Sequence, residues 1–107
     1  MEENIIGNLL QHGRESMSLV CETIDETDFL EPVYRQAFKT MKDLYKEGRD
    51  WDFPMIAMGF KNSEHMGATI LAKTLDMHIS LDMLPHKAIE LKKRNLDQEI
   101  RTAMQMG

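Results

Sequence analysis

Residues 31–60 read EPVYRQAFKTMKDLYKEGRDWDFPMIAMGF, and their periodicity decides the fold class. Tyr34, Ala37, Phe38, Met41, Leu44 and Tyr45 recur at the three- and four-residue spacing of one helix face. Arg35, Lys39, Lys42, Asp43 and Lys46 take the opposite face. Pro32 suits the first turn, where its missing N–H costs nothing, and Gly48 is a stop signal. Past EGRDWD, Asp52 is placed to cap a second, shorter helix with Pro54 in its first turn and Ile56, Ala57 and Phe60 as its apolar side. Two amphipathic helices with no nucleophile beside a base and no phosphate loop describe a helical packing unit, not a catalytic one.

The same pattern extends in both directions. Ile5, Ile6, Leu9 and Leu10 mark a helix over residues 3–11, ended by Gly13. Met17, Val20, Cys21 and Ile24 predict a helix over 15–25, and DETDFL then turns the chain, because its acidic and hydroxyl side chains compete for backbone hydrogen bonds. Downstream, Ile70, Leu71 and Leu75 predict a helix over 65–76. The last helix is expected to begin near Asp82, to tolerate Pro85 in its first turn, and to run to about Met106, over 30 Å at about 1.5 Å per residue. Its early part carries Leu84, Ala88 and Leu91. Its later part is polar but keeps an apolar seam of Leu96, Ile100, Ala103 and Met104. The expected architecture is all-α: an orthogonal bundle of five or six helices in a head of about residues 1–80, with a long projecting helix over 82–107.

Composition agrees. The 107 residues are 42% hydrophobic and 29% charged, with nine glycines and prolines together, which suits one helical globular domain and argues against disorder. A net charge of −5 is not built to neutralise phosphates or to lie on an acidic membrane. No segment approaches the ~18 consecutive apolar residues of a membrane span, and the acidic opening with Gly7 and Asn8 interrupting its apolar run is no signal peptide. The single Cys21 excludes an internal disulfide and fits a reducing, cytosolic setting. Gly107 carries no terminus signal, so a boundary within a longer parent is the expectation.

The remaining motifs are quiet. His12, His65, His78 and His86 are scattered, without carboxylates or cysteine at ligand spacing. Cys21 reads as a small core residue, and the ten methionines as core packing on helical apolar faces. Trp51 reads as folded back over two helix ends. Lys87, Lys92, Lys93 and Arg94 form a basic cluster that reads as a solvated face or a protein contact, since Asp97 and Glu99 follow directly.

Against this background the chain resembles the N-terminal domain of DnaB-type replicative DNA helicases. EENIIGNLL supplies that family's acidic opening, apolar pair, glycine and leucine-rich end. Asp28 and Phe29 precede a helix with Tyr34, Arg35 and Phe38 in the family order. Leu44, Gly48 and Asp52 complete the pattern. Tyr34 stands where histidine is usual, and the match loosens after residue 61, which resembles a phage or plasmid member more than a bacterial chromosomal one.

The resemblance implies a parent ring hexamer that translocates on single-stranded DNA, with ATP and magnesium in a C-terminal RecA-like domain that this chain lacks. It implies no cofactor and no catalysis here. It further implies a collar built from heads and helical hairpins, primase and loader proteins as partners, no membrane, and a bacterial cytoplasmic setting. Residues 82–107 would be the first hairpin arm, with Lys92, Lys93, Leu96, Ile100, Ala103 and Met104 as its interaction face. The rival readings are the helicase-binding C-terminal domain of a primase and a free-standing phage adaptor or inhibitor of replication.

Overall fold

The computed structural model describes residues 2–60, 67–77 and 79–94. Among these the chain is all-helical and forms a bundle around a single core. Its centre is α3, Pro32–Lys46, whose inner face buries Val33, Tyr34, Ala37, Phe38, Met41 and Leu44. Phe38 is fully buried, and its ring centroid lies 5.0 Å from that of Phe29, tilted by 38°. Gly48 ends α3 at φ 75°, a left-handed conformation that glycine adopts without steric cost. There Gly48 N–H donates to Tyr45 O and Arg49 N–H to Leu44 O, the paired closing bonds of a Schellman motif. Arg14 satisfies the same helix end from α2: its Nη1 donates to Tyr45 O and Arg49 O, and its guanidinium lies 4.6 Å from the centre of the Tyr45 ring.

The first two helices are α1, Glu2–His12, and α2, Arg14–Val20, separated by Gly13 at φ 59°. Ile5, Ile6, Leu9 and Leu10 are all buried, as expected. The helix expected over 15–25 stops early, at Val20. The amides of Thr23 and Ile24 both donate to Val20 O, and Asp25 is extended, its carboxylate Oδ1 accepting from the Thr27 amide at 2.9 Å. The acidic turn therefore outcompetes the helix, while Ile24 still reaches the core at 2% exposure. A 3₁₀ turn, Glu26–Asp28, then leads into α3. Cys21 is half-buried against the core, not inside it.

Asp52 caps α4, Phe53–Met58, by accepting from the Met55 amide. Trp51 is buried, and its Nε1 donates to Leu9 O at 2.9 Å, so it does fold back over helix ends. The helix expected over 65–76 is α5, Gly67–Thr74, followed by a 3₁₀ turn, Leu75–Met77. It tightens where α1 takes its carbonyls: Gln11 Nε2 donates to Leu75 O, and Asn4 Nδ2 to Met77 O at 2.6 Å. A third 3₁₀ turn, Leu81–Met83, capped by Ser80 Oγ, precedes α6, which is helical over 84–94. Leu84, Ala88 and Leu91 are fully buried in the common core. The expected continuation of this helix lies outside the described residues.

Candidate assembly site at the root of the last helix

Two buried carboxylates hold α6 onto the head. The first is Glu2. Its place in the first turn of α1 suits the positive end of that helix, but its side chain serves α3 as well. Oε1 accepts from the backbone amides of Leu30 and Glu31, at 3.0 and 3.3 Å. Glu31, the N-cap of α3, makes no capping bond with its own side chain; the Glu2 carboxylate, 29 residues upstream, instead fixes the two amides that lead into the helix. Oε2 accepts from Arg94 Nη2 at 2.7 Å. The Glu2 side chain is only 9% exposed and that of Arg94 30%. One residue thus joins the starts of α1 and α3 to Arg94 on α6.

The second carboxylate is Asp28. Its Oδ2 accepts from the Asp25 amide at 3.0 Å, closing a reciprocal capping box around the 3₁₀ turn. Lys92 Nζ lies 3.3 and 3.2 Å from its two oxygens, with the Asp28 side chain 6% exposed. The neighbouring Asp25 carboxyl is held below its ordinary pKa. The Thr27 hydroxyl that donates to it is the largest cause, and the Thr27 amide, Lys92 and Lys42 add to it against the opposing effect of burial.

The opposite face of α6 is open. His86, Ile89, Glu90 and Lys93 are exposed, Ile89 at 47%, and Met83 just before the helix is also exposed. Helical spacing explains the division, since 84, 88 and 91 point one way and 82, 86, 89 and 93 the other.

Of the family-pattern residues, Phe29, Tyr34, Arg35 and Phe38 gather at the α3 junction. Arg35 donates through Nε and Nη2 to Phe29 O, at 3.2 and 3.0 Å, fixing the segment that carries the Phe29 ring against Phe38. Tyr34 is buried beside them. Its phenol is raised above its ordinary pKa by burial first, and then by Glu3, Glu31 and Glu2. Leu44, Gly48 and Asp52 serve the far end of α3 and the start of α4. Of the residues expected on the interaction face, Lys92 is engaged with Asp28 and Lys93 is exposed. Leu96, Ile100, Ala103 and Met104 lie outside the described residues. Sequence reasoning gave no site role to Glu2 or Asp28 and read Arg94 only as part of a basic cluster. Their partners are 92 and 64 residues apart in the chain.

Among the described residues no group of three or more His, Cys, Asp or Glu side chains could hold a metal ion, and no helix is long and apolar enough to cross a membrane. An open depression is lined by His12, Ile79, Ser80, Leu81 and Asp82, and Ser80 Oγ caps the adjacent 3₁₀ turn. Glu2 and Asp28 hold one helix in a fixed direction against the head.

No curated protein matches the chain. A family model does, over residues 1–93, a span that takes in Glu2, Asp28, the α3 junction and all of α6 but Arg94. The chain belongs to the family of the DnaB-like helicase N-terminal domain.

Proposed function

We propose that this chain is the assembly and partner-binding domain of a hexameric replicative DNA helicase, and that its last helix is the first arm of a hairpin joining neighbouring subunits. The observation that carries this reading is the division of α6. One face is buried in the head and tied to it by Glu2 and Asp28, while the other presents Ile89 and Lys93 to solvent. Leu96 and Ile100 follow Ile89 at seven and eleven residues, the helical repeat of that open face. An apolar seam on an otherwise polar helix is stabilised by being covered, and a neighbouring subunit supplies the cover. In this reading primase and loader proteins are received by the collar so formed, in the bacterial cytoplasm. ATP and magnesium belong to a motor domain outside this chain, and the chain alone neither hydrolyses ATP nor unwinds DNA.

The test is a Leu96→Asp, Ile100→Asp double variant studied by sedimentation over a concentration series. The expected result is a folded head, by circular dichroism, that no longer self-associates. A variant that unfolds, or that associates as strongly as the parent chain, overturns the reading.

A further inference from the structure

Basic side chains are used unevenly in this molecule. The sequence holds 18 acidic against 13 basic residues, so carboxylates are in excess. Arg14, Arg49, Lys87, Lys92 and Arg94 accordingly each have a carboxylate partner. The outer face of α3 is different. Arg35, Lys39, Lys42 and Lys46 stand at offsets of 0, 4, 7 and 11, which places them on one line about 16 Å long. Lys39 and Lys46 are exposed and make no ion pair among the described residues. Arg35 is exposed and directs Nε and Nη2 to a backbone carbonyl. Lys42 lies 5.9 Å from the centre of the Phe38 ring, with Asp25 its acidic neighbour.

We propose that this outer face of α3 is a docking surface for an acidic helical segment of a partner protein. Charge complementarity selects an anion, and three further features select a protein helix over a nucleic-acid strand. No aromatic ring is offered for base stacking, the usual companion of a basic groove that holds single strands. Tyr34 and Phe38 are buried, and Tyr45 is covered by Arg14. The line is bordered by Glu31, Asp43 and Glu47, which repel a continuous phosphate chain but accept a helix carrying its own flanking lysines. The net charge of −5 opposes a long polyanion within the reach of unscreened fields, about 8–10 Å, and a short helix contacts the line alone. The four charges have the repeat of an α-helix, so a second helix laid alongside answers them with glutamates at i, i+4, i+7 and i+11. This surface is distinct from the open face of α6, and neither depends on the other.

The probe is a synthetic helical peptide with glutamates at those four positions, together with twins carrying glutamine or lysine there, and an oligothymidylate. Binding to the 107-residue chain is followed by fluorescence anisotropy at rising salt. The glutamate peptide is expected to bind, to weaken with salt, and to lose about tenfold in affinity on Lys39→Glu, Lys46→Glu, while that variant gains the lysine peptide. Lys39→Gln, Lys46→Gln, which adds no repulsion, gives a smaller loss and serves if the reversed variant does not fold. The proposal is overturned if the glutamate peptide does not bind, if both variants bind it as well as the parent chain, or if oligothymidylate occupies the same lysines more tightly.

Discussion

Glu2→Gln isolates the ion pair at the root of the last helix. It is nearly isosteric, so packing is kept and an oxygen remains to accept from Leu30 and Glu31. The other end of the amide becomes an N–H₂ donor facing Arg94 Nη2, which is 2.7 Å from the carboxylate oxygen it replaces. Breaking a fully buried pair by removing one partner costs about 3–5 kcal/mol. Here the Arg94 side chain is 30% exposed and recovers part of its hydration, so the cost falls to about 2 kcal/mol. In a domain of this size that corresponds to roughly 8 °C in Tm. Urea denaturation followed by far-UV circular dichroism measures the change. A double-mutant cycle with Arg94→Gln then separates the pair from each residue's other contacts, with an expected coupling of about 1 kcal/mol. Additivity within about 0.5 kcal/mol would show that the two side chains are neighbours without an energetic bond, and the anchoring argument would fail.

Further outcomes follow from other sites. Phe38→Ala removes a fully buried ring packed on Phe29 and should cost about 3–5 kcal/mol in the same denaturation assay; a change under about 1 kcal/mol would show that the site is not core. Gly67→Ala should cost about 1–3 kcal/mol, because the new methyl would clash with Phe60 Cδ1 and meet its Cβ at 2.9 Å, a contact that ring rotation alone cannot relieve; a stability equal to the parent's refutes this. The depressed Asp25 carboxyl stabilises the fold above the ordinary aspartate pKa of about 3.9, and that contribution is lost as pH falls through its lower folded value. The stability gap between the parent and Asp25→Asn should therefore be constant from neutral pH to about pH 4 and shrink below it, as urea midpoints across that range would record. Asp50→Asn, at a pair where Asp50 is 90% exposed and 3.8 Å from Arg14, should leave the urea midpoint essentially unchanged, and a clear fall would show that this exposed pair contributes to stability.

The all-helical class and the place of α3 were legible because one pattern, from Tyr34 to Tyr45, contains its own evidence: period, cap and stop lie within a single window. The end of α2 was not legible, because Ile24 keeps the helical spacing although a side-chain-capped turn carries it into the core. The tightening after Thr74 was hidden for a related reason, since Asn4 and Gln11 cause it from another helix. The anchoring site was the least legible. Glu2 and Asp28 look like ordinary N-terminal and turn acids, and Lys92 and Arg94 like a solvated cluster. No local window contains a carboxylate and its partner, so only the tertiary arrangement reveals the pairs. The family pattern did include an acidic opening and Asp28, but as a signature without a physical role.

The bond between Glu2 and Arg94 also bears on the order of folding. Its partners are 92 residues apart, and closing a loop of that length costs about 4 kcal/mol before the contact returns anything. The helices α1 to α3, whose contacts are nearer in sequence, can form a nucleus first. The last helix is then expected to dock late, against carboxylates already in position. Amide exchange in 84–94 should accordingly be faster than in α3. In this order the direction of the last helix is set only once the head that holds it is in place.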